Sequence, residues 1–235
     1  MPIPEQYLRK PSKEEINDLP IERYQGPVHI IRAQEELEAA MDTLRREAIL
    51  GFDTESRPAF RKGKYYPPSV VQLASSEAVY IIQLTWLPLN DTLTSLLADP
   101  DVLKVGVAIY DDLKELQKLH EFTPAGISDL GDVAKKLGLE THGLRSLAAN
   151  LLGVRISKAA RCSNWAGKKL QSQQIIYAAT DAWIGRELYF KLKDLEADHA
   201  EGDYAPQAQF SQISLPPNYD EDSCSGNFLA EDNLR

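Results

Sequence analysis

The stretch Ala48-Ile-Leu-Gly-Phe-Asp-Thr-Glu55 is an apolar run that ends in two acids. A short, nearly continuous apolar run is typical of a strand buried inside a sheet. Side chains alternate along a strand, so Asp53 and Glu55, two residues apart, leave the same face. The stretch therefore predicts a core strand that carries a pair of carboxylates.

A second acid follows in Lys104-Val-Gly-Val-Ala-Ile-Tyr-Asp-Asp112, which we interpret as a strand running into an amphipathic helix that begins at Asp112. Asp112 shares an apolar helical stripe with Leu116 and Leu119, whereas Asp111 shares its stripe with charged residues. We therefore expect Asp112 to face the interior and Asp111 to be solvated.

The third acid lies on the predicted helix Gln173–Leu188. Tyr177, Asp181, Ile184 and Leu188 fall on one stripe of this helix, so Asp181 faces inward with a phenol one turn before it.

Inward-facing carboxylates need a positive partner, because burying an unpaired charge is costly and like charges oppose ionisation. Taken singly, each acid could be a helix cap or a solvated residue; their combination favours a site. Oxygen ligands suit Mg²⁺ and Mn²⁺, and the four histidines and two cysteines show no zinc-like spacing. The candidate metal ligands are Asp53, Glu55, Asp112 and Asp181.

These motifs resemble those of the DEDD-type 3′-5′ exonucleases of the tyrosine subclass. The matching segments are Phe52–Glu55, Gly106–Asp112 and the pair Tyr177 and Asp181, in the family's order. The segment Arg161-Cys-Ser-Asn-Trp165 makes the chain more similar to the Werner-type exonuclease domain than to ribonuclease D or polymerase proofreading domains. The resemblance covers roughly residues 28 to 193.

The resemblance implies an α/β, ribonuclease H-like fold, a mixed sheet of about five to six strands flanked by helices. It also implies hydrolysis of phosphodiester bonds at 3′ ends of nucleic acid with two Mg²⁺ or Mn²⁺ ions, releasing nucleoside 5′-monophosphates. Asp53 would bridge both ions, Glu55 and Asp181 would complete one site and Asp112 would support the other. Tyr177 would orient the attacking water.

The pattern predicts strands at 28–31, 70–73, 79–82 and 102–109 besides the opening one, with 70–73 and 79–82 forming a hairpin. It predicts helices at 34–46 and 91–97, and a helical remainder over 127–192 with breaks at Gly153 and Gly167. Strands followed by alternating helices favour a mixed sheet with helices on its faces.

Three parts of the chain are expected: an N-terminal arm (1–27), the exonuclease domain (28–193) and an acidic C-terminal tail (194–235). Whether the Pro-punctuated arm wraps the domain is left open by the sequence. The net charge is −9, but ten acids and one base lie in the tail, which leaves 25 acids and 25 bases in the rest. The charge therefore does not exclude a polyanionic substrate.

Two stretches without acids, 56–76 and 141–180, border the predicted site in sequence. Cations there are candidates for binding a substrate backbone, although charge runs are often only solvated surface. The predicted substrate-binding residues are Arg57, Arg61, Lys62, Lys64, Arg161, Lys168 and Lys169.

The sequence has no run of about 18 apolar residues and no signal-peptide segment at its start. We expect an intracellular, cytoplasmic protein with no membrane contact. Cys162 and Cys224 are too few for a disulfide framework and are predicted to be free thiols, Cys162 in the core.

Alternative functions stay open at this point. An exoribonuclease or a short-oligonucleotide-degrading enzyme of the same fold would use the same chemistry, since sugar preference depends on contacts to the 2′ position. A homologue that binds nucleic acid without cleaving it is disfavoured by the complete acid set. Nucleotide-cofactor binding is excluded, because no phosphate-binding glycine motif follows a strand. The oligomeric state is not indicated.

Overall fold

The computed structural model describes residues 3–61 and 63–202, the last three by their backbone only. Eight strands lie in this part of the chain: β1 Ile21–Glu22, β2 Val28–Ile31, β3 Ile49–Ser56, β4 Pro68–Ala74, β5 Val79–Gln83, β6 Leu103–Gly106, β7 Ile127–Asp129 and β8 Arg155–Ile156. The α-helices are α1 Glu5–Leu8, α2 Lys13–Asp18, α3 Gln34–Leu44, α4 Asp91–Leu97, α5 Ile109–Gln117, α6 Leu130–Lys136, α7 Leu144–Leu147 and α8 Ser172–Gly202. A π-helical segment, Ala148–Leu152, follows α7.

Six strands form one mixed sheet in the order β2-β5-β4-β3-β6-β7. The pairs β3/β4 and β4/β5 are antiparallel, whereas β2/β5, β3/β6 and β6/β7 are parallel. This confirms the predicted mixed α/β sheet and the predicted hairpin. The strand that carries the first two acids, β3, lies in the interior of the sheet and is flanked on both sides.

The two faces of the sheet are covered by different helices. Phe52 of β3 packs in an apolar cluster with buried residues of α3, α4 and α5. On the other face, Val70 and Ile81 pack against Trp165 and against Ala178 and other residues of α8. Because Phe52 and Thr54 alternate with Asp53 and Glu55 along β3, the acid pair faces the α8 side.

The N-terminal arm packs on the domain along the residues described. Strand β1 pairs in parallel with β8 in a separate two-stranded sheet. The backbone N–H of Tyr24 donates to Thr180 Oγ1 (3.1 Å), and the Tyr24 ring lies 5.8 Å from that of Trp183. The question left open by the sequence is thereby answered for residues 3–27.

Three secondary-structure predictions were wrong in detail. The strand predicted over 102–109 ends at Gly106, and α5 already begins at Ile109, because Ala108 adopts a left-handed conformation (φ 58°) that turns the chain between them. The stretch 127–192 is not wholly helical. Strands β7 and β8 are three and two residues long, too short to show a period of two against the surrounding helical pattern.

Two burial predictions were also wrong. Cys162 is a free thiol, as predicted, but it is exposed rather than in the core. Leu119 lies beyond the end of α5 and is 41% exposed, so the apolar stripe of that helix stops at Leu116.

No helix in the described part of the chain is long and apolar enough to cross a membrane. Lys62, Cys224 and the acidic tail beyond residue 202 lie outside the described residues.

Candidate active site

Three of the four predicted acids meet at one point of the fold. Asp53 and Glu55 project from β3, and Asp181 projects from α8 on the same face of the sheet. One carboxylate oxygen of each lies within 4.8 Å of the others. Asp181 is buried (6% exposed), and its Oδ1 is a buried atom without a hydrogen-bond partner.

The close approach of α8 to β3 depends on Gly51, which lies two residues before Asp53 on β3 and faces the same side of the sheet as Asp53 and Glu55. A Cβ atom at Gly51 would lie 2.0 Å from the backbone oxygen of Ala182, one residue after Asp181. No side chain fits in that space, so glycine here lets the helix lie directly on the strand. The contact fixes how near Asp181 comes to the acid pair.

Asp112 approaches from the other side of the sheet. It is partly buried at the start of α5, where its Oδ1 accepts a hydrogen bond from Thr54 Oγ1 (2.6 Å). It is not one of the three clustered acids, but its charge raises the pKa values of both Asp53 and Glu55. Asp111 is exposed and pairs with Lys114 (3.2 Å), which confirms the predicted difference between the two neighbours.

The protonation of the cluster is strongly perturbed by burial. Burial, with Asp181 and Asp112 nearby, raises the pKa of Glu55 to about 8, against the charges of Arg145 and Arg161. Burial raises the pKa of Asp181 to about 6, while hydrogen bonding to Tyr177 and the Arg145 charge oppose the change.

Asp53 and Asp112 respond in the same direction. Burial and then the charges of Asp181, Asp112 and Glu55 hold the pKa of Asp53 well above its usual range. Burial raises the pKa of Asp112 to about 6, opposed by the Thr54 hydrogen bond. Four carboxyls that resist ionisation together form a site that a cation stabilises.

The donor set fits a divalent cation of the hard class. Its ligand atoms are carboxylate oxygens, and one of them, Asp181 Oδ1, has no other partner. Within the described residues, the histidine and cysteine side chains form no comparable group. Mg²⁺ and Mn²⁺ prefer such ligands, whereas zinc prefers nitrogen and sulfur.

Tyr177 lies one turn before Asp181, and its hydroxyl is held by a residue that the sequence did not single out. Arg145 Nη2 donates to the Tyr177 hydroxyl (2.8 Å) and to the backbone oxygen of Ser157 (3.1 Å), while its buried Nε has no partner. Burial and the neighbouring acids raise the pKa of Tyr177, so the phenol stays protonated at neutral pH.

The acids open into a cleft of about 910 Å³. Besides Lys10 of the N-terminal arm, four cations line it, namely Arg145, Arg155, Lys158 and Arg161. Of these only Arg161 belongs to the predicted substrate-binding set. The other three lie in the same acid-free stretch of sequence, but no periodic pattern distinguished them from the other cations of that stretch. They are brought together by α7, β8 and the loops around these elements.

The remaining predicted cations lie elsewhere. Arg57, Arg61 and Lys64 line a second cavity of about 410 Å³ together with Phe60 and Tyr66. Lys168 stands over the ring of Trp86 at 6.0 Å from its centroid. Lys168 and Lys169 are exposed and line neither of these two cavities.

Comparison with known proteins gives consistent results. Mouse "Bifunctional 3′-5′ exonuclease/ATP-dependent helicase WRN" is 34% identical over 153 residues, 63% of this chain and 11% of that protein. Ribonuclease D of Gluconacetobacter diazotrophicus is 35% identical over 164 residues, 68% of this chain and 41% of that protein. The chain therefore spans less than half the length of either relative.

Among solved structures, the EXO domain of Aedes aegypti Nibbler superposes with a TM-score of 0.69 at 23% identity, covering 76% of this chain and 94% of that one. This likeness establishes the ribonuclease H-like exonuclease fold. A family model described as 3′-5′ exonuclease matches residues 28–195. With that match over most of its length, the chain belongs to the 3′-5′ exonuclease family, whose members hydrolyse phosphodiester bonds.

Proposed function

We propose that this protein is a 3′-5′ exonuclease that uses two Mg²⁺ or Mn²⁺ ions to release nucleoside 5′-monophosphates from the 3′ ends of nucleic acid, with DNA preferred. The observation that carries the proposal is the cluster of Asp53, Glu55 and Asp181, whose ligand atoms lie within 4.8 Å of one another at the cleft. Family membership supplies the reaction class.

The acids and Tyr177 would have different roles in the reaction. Asp53, Glu55 and Asp181 would hold the ions, and Asp112 would support them from the α5 side. Bound ions of this kind lower the pKa of an attacking water and neutralise charge on the phosphate. Tyr177 stays protonated, so it positions that water as a hydrogen-bond donor or acceptor rather than as a base.

The cations of the cleft supply the binding of the polyanion. Arg145, Arg155, Lys158 and Arg161 line the same space as the acids. Arginine donates two parallel hydrogen bonds to phosphate, which orients the backbone as well as attracting it. Arg145 reaches the Tyr177 hydroxyl, so it also joins the phosphate-binding cations to the water-positioning phenol.

RNA is the second candidate substrate. Ribonuclease D, a relative of similar identity to WRN, is named for action on RNA. The chemistry at the phosphate is the same for both sugars, and contacts to the 2′ position decide between them.

The experiment is digestion of matched DNA and RNA oligonucleotides, labelled at the 5′ end, by the full chain and by Asp53→Asn. We expect a ladder of products shortened from the 3′ end, faster for DNA, that requires Mg²⁺ or Mn²⁺. Asp53→Asn should keep its fold and lose the activity. Full activity of Asp53→Asn would contradict the proposed metal site. Faster digestion of RNA than of DNA by the wild type would mean that RNA is the preferred substrate.

A further inference from the structure

We propose that the N-terminal segment 10–21, which precedes the residues matched by the family model, is a substrate-binding wall of the catalytic cleft that admits an unpaired 3′ end in preference to a paired one. The proposal rests on the proposed function and adds the form of the substrate. Lys10, Ile16, Asn17 and Ile21 line the same cleft as the clustered acids.

The segment is anchored to the domain at its beginning. Asn150 Nδ2 donates to the backbone oxygen of Tyr7 (2.8 Å), and Lys191 Nζ lies 5.5 Å from the centroid of the Tyr7 ring. Three residues later, the backbone N–H of Lys10 donates to Glu140 Oε2 (3.2 Å).

It is anchored again at its end. The backbone N–H of Arg155 donates to the oxygen of Pro20 (2.9 Å), and β1 then pairs with β8. Arg155 is itself one of the cations of the cleft. The wall is therefore joined directly to the phosphate-binding side of the site.

Between the anchors the chain is ordered by its own contacts. Ser12 caps α2, with its side chain accepting from the Glu15 N–H (3.1 Å) and Glu15 accepting in return from the Ser12 N–H (2.7 Å). This capping box fixes the start of the six-residue helix that carries Ile16 and Asn17. A segment held in this way needs little further ordering when a ligand binds.

The side chains of the wall complement the cations beside them. Ile16 and Ile21 are apolar, and Ile21 is 57% exposed, which is a large apolar side chain left open to the cleft. Lys10 and Asn17 are polar and can contact phosphate or sugar. Apolar groups contact bases and sugars without reading sequence, as expected of an enzyme that removes nucleotides one after another.

The position of the wall favours a single strand. The cleft, of about 910 Å³, has the wall residues and the clustered acids on the same lining. A paired end brings a second backbone across a groove about 12 Å wide. A wall anchored at both ends cannot open to admit that second strand without losing the contacts that anchor it.

The test compares a single-stranded DNA oligonucleotide with the same strand annealed as a blunt duplex. For the wild type we expect the single strand to have the lower KM. In Ile16→Ala/Ile21→Ala we expect KM for the single strand to rise about five- to tenfold, with kcat within about twofold, as lost apolar contacts predict. The duplex should be affected less, so that the preference shrinks. The matched control is Glu14→Ala, an exposed residue of the same helix that does not line the cleft.

A second pair, Lys10→Ala/Asn17→Ala, keeps the apolar contacts and should also raise KM for the single strand. It tests the wall even if the isoleucine pair unfolds the segment. Ile16→Val/Ile21→Val should restore most of the affinity. Unchanged KM in both pairs, or equal effects on single strand and duplex, would overturn the wall.

Binding separates this proposal from the reaction itself. Anisotropy of a fluorescent single strand gives its dissociation constant without hydrolysis when the full chain carries Asp53→Asn. Adding the isoleucine pair or the Lys10/Asn17 pair of substitutions to that variant should raise the dissociation constant about five- to tenfold. If the wild type cleaves nothing, the proposed function fails, and the dissociation constants still decide whether the segment binds the strand.

Discussion

Helices α5 and α8 each deliver one acid to the end of β3, from opposite faces of the sheet, and the two differ in how they do so. α8 lies directly on β3 across Gly51 and brings Asp181 into the group with Asp53 and Glu55. α5 begins after a left-handed turn at Ala108, and its Asp112 reaches Thr54 instead. The comparison indicates that Asp181 is fixed by backbone packing, whereas Asp112 is fixed by one side-chain hydrogen bond.

The largest loss of activity is expected when the acids that α8 and α5 carry are substituted. We expect Asp181→Asn to lower kcat/KM by at least about 100-fold, since even residues that only support metal ligands cost 10–100-fold. Asp112→Asn should lie in the same range, and the exposed Asp111→Asn should stay within about twofold. Steady-state kinetics with circular dichroism as the folding control provide the measurement; an equal loss in the Asp111 and Asp112 variants would contradict the helical-face assignment.

Moving α8 away from β3 should have the next largest effect. In Gly51→Ala the added Cβ meets the Ala182 oxygen, a backbone atom that cannot rotate away. Overpacking of this kind costs roughly 1–3 kcal/mol, and a displacement of Asp181 near 1 Å lowers the rate on the order of 100-fold.

The matched control is Gly185→Ala, on α8 itself, where the new Cβ would meet the Val105 oxygen at an ordinary 3.6 Å. Urea unfolding and initial rates should separate the two variants. A fully active Gly51→Ala protein would show that the close contact does not set the geometry of the site.

The hydrogen bond from Arg145 to Tyr177 sharpens the comparison of α8 with α5. Tyr177 lies on α8 one turn before Asp181, whereas α5 carries no tyrosine one turn before Asp112. We expect Arg145→Met and Tyr177→Phe each to lower kcat about tenfold. The double variant should lose no more than the worse single one, which is a coupling of about 1.4 kcal/mol. Arg155→Met, in the same cleft, should raise KM and add independently to Tyr177→Phe. Additive effects of Arg145 and Tyr177 would instead mean that Arg145 acts on the substrate alone.

The smallest expected effect is on thermal stability without metal. Between about pH 5 and pH 8 the folded chain keeps protons on Asp112 and Asp181 (pKa about 6) and on Glu55 (about 8) that the unfolded chain, with ordinary values of 3.8 and 4.5, has released. Where the folded state binds more protons, stability falls as pH rises. We expect Tm in EDTA to fall by on the order of 10 °C over this range.

Mg²⁺ or Mn²⁺ should raise Tm more at pH 8 than at pH 5, since protons compete with the ion for the same oxygens. Glu55→Gln should flatten the slope in EDTA, and Asp111→Asn should leave it unchanged. Scanning fluorimetry across the pH series measures all three, and a Tm in EDTA that rises toward pH 8 would contradict the raised pKa values.

Local pattern was sufficient where an element was long or its composition unambiguous. It predicted β2, α4 and the β4/β5 hairpin, and it separated Asp112 from Asp111 by helical spacing. It failed for β7 and β8, which are stabilised by pairing with distant strands rather than by any period of their own. It also misplaced Cys162, because the loop that carries it has no periodicity from which burial could be read.

The sequence by itself determined which side chains face the interior: four acids and a tyrosine have a spacing along strands and helices that places them inward, since side-chain direction follows from backbone period alone. The tertiary structure decided which of them meet. Three acids lie together, whereas Asp112 accepts a hydrogen bond from Thr54. Arg145 donates to the Tyr177 hydroxyl, and residues of the N-terminal arm line the cleft. These contacts join residues far apart in sequence, and they depend on packing distances that no local pattern contains.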